Sequence, residues 1–419
     1  MIVINMNKSV DILVLGATGF TGKCTVKLLA KLTKGKYSDV TWGVAGRSKE
    51  KIQNLVTELS ETGLGDDFNV FQADIEDEDS LKKMLQDVKV VINCTGPNVL
   101  LSPKIVKICI ETGTHYVDIS CEMLHILKLY TDYNKAAEDA NLLLIPACGF
   151  SSIPVETAII YLDREFRGTI HTVECYTRIF FPTLIPGKAV LHNGTWTSTV
   201  HVMTTFKEHL ALHQQIFPNP IETEPEEMKK SFFHRHNGHT WFPYPGVEDG
   251  VVEMSQRYLH KSTNKKPVHY KTYTTVQVFF HFIVVGAMFL YYYLCYFKCF
   301  RQLLIKFPRF FTIGYVSEKG PSDTMRQGMK YYFTLNAKGW DVDGDLKNEP
   351  TQKLSVTVSG QDPGYDTTAY ANIISAITIL KERSNMPKGG VIMPGAAFYK
   401  TDIVNRLMDT GYTYEIVQN

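Results

Sequence analysis

Charge of one sign is missing from this chain: 44 basic residues balance 43 acidic ones over 419 positions, leaving a net charge of +1. That balance gives nucleic acid no electrostatic hold, and nucleic-acid binding leaves the list of function classes. Paired cysteines are missing too. The eight cysteines, at 24, 94, 109, 121, 148, 175, 295 and 299, include no CxxC spacing and no small secreted frame, so reduced and mostly buried thiols facing the cytosol are expected. HExxH, GxSxG and P-loop strings do not occur, and no metal site is expected. The opening M-I-V-I-N-M-N-K-S-V-D has too short an apolar run for a secretory signal and no arginine for a mitochondrial one, so neither address is expected. No internal repeat is visible, and the length allows two or three domains with a sizeable core.

What the chain does have is a glycine-punctuated turn. Residues 10–22 read V-D-I-L-V-L-G-A-T-G-F-T-G, an apolar strand that breaks at Gly16 and is followed by Gly19 and Gly22 before a helical pattern from about Thr21. Gly16 suits the tight turn, Gly19 leaves no side chain between backbone and a pyrophosphate, and Gly22 lets the helix lie close on the sheet. The helix N-terminus then faces the phosphates with its amides. Gly16, Thr18, Gly19, Phe20, Thr21 and Gly22 are therefore the first candidate cofactor-binding residues.

Strands alternate with helices from there to residue 150. Apolar runs at 40–45, 68–73, 88–94, 116–119 and 142–147 are separated by helical spacing at 80–85, 105–110 and 127–140, with Ser102-Pro103 read as a helix start. The pattern predicts an α/β fold with a Rossmann-type, doubly wound parallel sheet over residues 8–150. Beyond it, period-two runs at 171–180 and 353–358 and an aromatic run at 331–335 predict a second α/β domain, 151–365, with a mainly antiparallel sheet that could serve substrate or dimer contacts. Residues 195–212 read as helix, and 217–270 as an irregular insertion holding a strand at 251–258. Residues 366–419 are expected to return to the first domain through an amphipathic helix at 368–380 and another at 396–407.

The strand ends carry the chemistry. Arg47, Ser48 and Lys49 follow the second strand, where an acidic residue would select NAD, and a guanidinium there suits a ribose 2′-phosphate. NADP(H) is the preferred cofactor on this reading, with NAD(H) as the alternative. Asp74 is placed either to reach the adenine amino group or to cap a helix. Asn93, Thr95, Gly96 and Pro97 close the fourth strand, where they could hold the nicotinamide ribose or carboxamide. Tyr116, Asp118 and Ser120 on the fifth strand are the catalytic candidates, with His115 a rival proton donor on the opposite face. Gly194 and Thr195 open a helix whose amides could hold a substrate oxygen, or simply be capped.

One segment departs from soluble composition. Residues 276–297, V-Q-V-F-F-H-F-I-V-V-G-A-M-F-L-Y-Y-Y-L-C-Y-F, hold no formal charge, and Lys298, Arg301, Lys306 and Arg309 follow. As one helix this run would cover about 33 Å, and a membrane contact by embedded hairpin or surface anchor is expected, against a core helix or dimer interface.

Taken together, G-A-T-G-F-T-G, A-G-R-S, N-C-T-G-P, Y-V-D-I-S, C-G-F-S-S-I-P, D-P-G-Y and P-G-A-A-F, in this order, make the chain resemble the saccharopine dehydrogenase-like oxidoreductases over nearly its whole length. The resemblance implies NAD(P)-linked reduction, and animal members of the family are associated with lipid droplets and membranes. Bacterial relatives reduce enoyl groups on lipid-linked chains. Ser151 stands where the family has aspartate, and Cys121 where it has glycine. The expectation is an NADP(H)-dependent oxidoreductase reducing an enoyl, carbonyl or imine group of a lipid-phase or lipid-linked substrate. A homodimer is an expected assembly, and the expected address is the cytosolic face of a lipid droplet or endoplasmic reticulum membrane rather than a mitochondrion. The alternative is a membrane or lipid-droplet scaffold or sensor that binds the dinucleotide without turnover.

Overall fold

Ile12, Leu13, Val14 and Leu15 are all buried, on both faces of their strand, which requires a sheet covered above and below. The computed structural model describes residues 8–65, 68–222, 225–275 and 281–417. The chain starts with β1 (Val10–Leu15), α1 (Phe20–Lys34), β2 (Trp42–Gly46), α2 (Lys49–Glu61), β3 (Asn69–Gln72) and α3 (Glu78–Leu85). It continues with β4 (Val88–Asn93), α4 (Asn98–Thr112), β5 (His115–Asp118), α5 (Met123–Asp139) and β6 (Leu143–Ile145). Next come α6 (Ile153–Glu165), β7 (Gly168–Phe180), β8 (Leu191–His192), α7 (Asn193–Ile216), β9 (His234–His236), β10 (His239–Pro243), α8 (Glu248–Thr263) and β11 (His269–Thr274). After them lie α9 (His281–Cys295), α10 (Lys298–Lys306), α11 (Pro308–Phe311), β12 (Val316–Ser317), α12 (Asp323–Gly328), β13 (Lys330–Asp341) and β14 (Gln352–Gln361). The end holds α13 (Asp366–Glu382), β15 (Gly390–Val391), α14 (Pro394–Ala397), α15 (Ile403–Met408) and β16 (Thr413–Val417).

The chain divides into two units, one of residues up to 150 with 364–410, the other of 151–363 with the chain from 411 on. In the first, seven parallel strands run in the order β15-β6-β5-β4-β1-β2-β3, so the direction of winding reverses between β1 and β4. A crevice at the carboxyl ends of the strands belongs at such a reversal. The second unit carries the order β16-β14-β13-β7-β11-β10-β9, in which only β7 and β11 pair in parallel. The expected α/β class, with a Rossmann-type sheet and a second, mainly antiparallel one, is what the chain forms.

Several local expectations are corrected. Residues 251–258 lie in α8 and not in a strand: Val251, Val252, Met254, Ser255 and Leu259 are buried at helical spacing, Glu248 and Asp249 sit in the first turn, and Asn264 ends it in the left-handed region at φ 56°. Residues 396–407 are two short helices, because Glu382 accepts the Asp402 N–H and Thr401 folds back on the Phe398 carbonyl. α13 is not amphipathic; it is buried nearly all round and packs on α1, β4 and α15. The chain from 411 onward does not stay with the first unit, since β16 pairs antiparallel with β14 and the Tyr414 hydroxyl lies 2.7 Å from Thr157 Oγ1. Residues 276–280 of the apolar segment lie outside the described residues, and what is described is the 15-residue α9, broken from α10 at Tyr296 and Phe297.

Pro103 falls inside α4 and does not start it. The helix begins earlier because the buried Glu122 carboxylate accepts the N–H groups of Asn98 and Val99, both at 3.1 Å. Glu122→Ala leaves those two donors without that acceptor, and the urea midpoint should fall by the equivalent of about 1–3 kcal/mol. An unchanged midpoint would show that the start of α4 needs no such anchor.

Candidate functional site

The glycine loop leaves β1 between β2 and β4, with Leu15 in register with Ala45 on one side and Asn93 on the other. Gly16 adopts φ +80°, the N–H groups of Gly16 and Ala17 both donate to the Ala45 carbonyl at 3.1 Å, and the Gly19 N–H closes the turn on Gly16 at 3.0 Å. A Cβ on Gly22 would sit 2.1 Å from the Gly16 oxygen, so α1 can start this close to the loop only with glycine there. A Cβ on Gly16 would meet Thr95 Cγ2 at 2.8 Å. Gly19 is exposed. No side chain caps α1 and no acidic residue lies in its first turn. An exposed glycine followed by a helix N-terminus free of carboxylates suits a dinucleotide pyrophosphate.

On the β2 side, Gly46 lies against Thr18, whose Oγ1 would be 3.7 Å from a Cβ there, so the residues that follow Gly46 leave the sheet beside the glycine loop. Arg47 and Lys49 are exposed and have no ion-pair partner among the described residues. Ser48 is the N-cap of α2, its Oγ accepting from Lys51 N at 3.3 Å. Asp74 Oδ1 accepts from Glu76 N at 3.1 Å, and the cap of α3 is Asp77 instead.

The ends of β4, β5 and β6 meet in a buried network. Asp118 Oδ1 accepts the N–H groups of Ser120 and Ala147, each at 2.9 Å, while its Oδ2 lies 2.8 Å from the Tyr116 hydroxyl and 3.1 Å from His125 Nε2. Tyr116 in turn accepts from Asn93 Nδ2 at 3.0 Å, and Asn93 Oδ1 takes both the N–H and the hydroxyl of Thr95, at 3.0 and 2.6 Å. Asn93, Tyr116 and Asp118 have no exposed surface, and Ser120 has 2 %. Burial and the neighbouring Asp118 charge push the Tyr116 phenol well above its ordinary range. The three catalytic candidates are thus brought together, but in the interior, donating and accepting among themselves. His115 is no better placed: its Nδ1 accepts from Leu143 N at 3.0 Å, and burial drives its pKa down to about 3, so it stays neutral.

Of the candidates at the end of β4, one stands open. Gly96 is exposed, with nothing within 4 Å of where a Cβ would project, and Pro97 precedes the first residue of α4. Sequence reasoning missed Glu122, His125 and Asn372, the last a buried α13 residue whose Nδ2 lies 3.9 Å from Cys94 Sγ. No spacing rule connects them to the strand ends, because each arrives from another helix or turn. At the second unit's α7, the amide of Gly194 is already taken by His192 Nδ1 at 3.0 Å, so a plain helix cap accounts for H-N-G-T.

Residues 12–145 match the family model of the saccharopine dehydrogenase NADP binding domain. Over 97% of its length, and 97% of the relative's, the chain is 31% identical to the human saccharopine dehydrogenase-like oxidoreductase. The chain belongs to the saccharopine dehydrogenase-like oxidoreductase family. Its cofactor is NADP(H). A Caenorhabditis elegans relative, 28% identical over 97% of the chain and 98% of its own, is named lipid droplet localized protein. Among solved structures, apo saccharopine dehydrogenase (L-Glu forming) from Saccharomyces cerevisiae superposes at TM-score 0.54 with 15% identity, covering 97% of this chain and 99% of that one, a likeness of fold.

Arg47 is exposed directly after β2, and a guanidinium contact with a 2′-phosphate is worth about 1.5–3 kcal/mol. Arg47→Ala should therefore weaken NADPH about ten-fold or more in a fluorescence titration while leaving NADH nearly unchanged. Equal losses for both nucleotides would contradict the assignment.

Proposed function

We propose that this oxidoreductase reduces an enoyl, carbonyl or imine group of a lipid-phase or lipid-linked substrate while resting on the cytosolic side of a lipid droplet or endoplasmic reticulum membrane. In this reading the amides at the N-terminus of α1 receive the pyrophosphate, Arg47, Ser48 and Lys49 the 2′-phosphate, and Asp74 the adenine. Thr95, Gly96 and Pro97 border the nicotinamide end. Bound there, the nicotinamide supplies a hydride to the substrate. Asn93, Tyr116, Asp118 and Ser120 act by positioning: they fix Thr95 and the β4–β5 edge and touch neither substrate nor cofactor.

The observation that carries the lipid reading is the outer face of α9–α11. Tyr293, Phe297, Phe307, Phe310 and Ile313 are exposed there, Phe310 to 78 %, while Cys295 and Leu304 turn inward to a cluster with Trp196, Val200 and Val316. Lys298, Arg301, Lys306 and Arg309 stand among these aromatics with no carboxylate partner among the described residues. Aromatic rings flanked by cations match the headgroup boundary of a bilayer or droplet. No helix of the described residues is long and apolar enough to cross a membrane, and the described α9 spans 15 residues, about 22 Å. The name of the C. elegans relative agrees.

The burial of Tyr116 and Asp118 favours one second reading, a surface-bound dinucleotide sensor without turnover, because neither residue presents a proton to an open edge. NADPH consumption with a lipid extract separates the two. For the shared surface contact, the purified protein should float with vesicles containing phosphatidylserine. Phe297→Glu combined with Phe310→Glu should release it several-fold while NADPH binding stays unchanged. Wild-type protein that remains at the bottom of the gradient would contradict the lipid reading, and a concentration-dependent dimer lost in the double variant would assign the face to a second copy of the chain.

A further inference from the structure

The second unit holds a group of side chains that neither dinucleotide chemistry nor a lipid surface uses. His171 on β7, His269 on β11 and Glu222 in the stretch after α7 each bring a ligand atom to within 4.8 Å of the others. The parallel pairing of β7 with β11 sets Thr172 opposite His269, which places the two imidazoles on neighbouring strands, with ring centroids 5.3 Å apart and edge to face. His269 Nε2 lies 3.5 Å from Glu222 Oε2. We propose that His171, His269 and Glu222 form a Zn2+ site, with water as the fourth ligand.

The donor set suits that ion. Two neutral imidazoles and one carboxylate are the chemistry that borderline divalent metals favour, and Zn2+ in particular takes nitrogen at about 2.0–2.1 Å with carboxylate oxygen at similar range. A tetrahedron of that size holds its ligand atoms about 3.3–3.5 Å apart, so the ligand atoms, now within 4.8 Å of one another, would draw together on binding. His171 Nδ1 is buried and has no hydrogen-bond partner among the described residues.

Lys266 shows what the metal would replace. Its Nζ lies 2.8 Å from both Glu222 carboxylate oxygens and 5.7 Å from the centre of the Trp340 ring, the ring that also flanks His171 at 4.7 Å. In the metal-free protein the ammonium neutralises Glu222, and binding Zn2+ displaces it. The ion then ties the stretch after α7 to two strands of the sheet. No motif announces the site because its three ligands come from separate parts of the chain.

The full-length protein, stripped with a chelator, can be titrated with Zn2+ alone by calorimetry, with circular dichroism and NADPH binding confirming that each variant is folded. One Zn2+ per chain at about micromolar or tighter affinity is expected. His171→Ala and Glu222→Gln should each weaken it roughly ten-fold or more. Lys266→Met should tighten it about two- to five-fold, the factor a solvent-facing ion pair is worth. A loss with Lys266→Met, or binding indifferent to both ligand variants, overturns the proposal. Should His171→Ala fail to fold, Glu222→Gln in its surface stretch decides alone.

Discussion

One buried carboxylate governs the first unit. Asp118 has no exposed surface, and moving such a group out of water costs several kcal/mol unless both oxygens are satisfied. They are, by Tyr116, His125, Ser120 and Ala147, which belong to β5 and three neighbouring stretches of chain. The carboxylate therefore joins the ends of strands that would otherwise part into loops. Through Tyr116 the chain of hydrogen bonds continues to Asn93 and from there to Thr95, whose methyl group stands against Gly16. The relay thus runs from Asp118 to the edge of the glycine loop, alongside the direct pairing of Leu15 with Asn93.

The same relay explains which parts of the site could be read from the sequence. Gly16 and Gly22 are legible because their requirement is local: a left-handed φ at Gly16 and no room for a Cβ at Gly22. The exposed place of Arg47 at the end of β2 is legible because it directly follows a strand whose neighbours are set by the βα pitch. The depth of Tyr116, Asp118 and Ser120 is not legible, because alternation along a strand tells which face a side chain takes but not how deep it lies or what α5 brings against it. His125 and Glu122 supply that information from outside the strand. Residues 251–258 mislead differently, since β-branched and aromatic residues weigh toward a strand while their buried positions recur at helical spacing.

In the second unit the same argument applies to the apolar segment. Its lack of charge was plain in the sequence, whereas the division of labour within it was not. Cys295 and Leu304 are buried beneath Trp196, whose indole donates to the Leu304 carbonyl at 2.9 Å, and the aromatics between and after them face outward. An outward face this rich in large apolar groups needs an occupant. Cations interspersed with the rings favour a lipid boundary over a second protein chain, because an interface core is depleted in charge.

We propose that Asp118 shapes the dinucleotide edge without touching the ligand. Asp118→Asn tests it, because an amide can accept at one oxygen only and turns a donor toward two of the present donors. Amide hydrogen exchange with parallel NADPH titration is the direct measurement. Protection at Thr95 and Ala147 should fall together and the NADPH dissociation constant should rise about ten-fold, while protection in the second unit stays as in the wild type. Lost protection at those amides with unchanged NADPH affinity would contradict the claim.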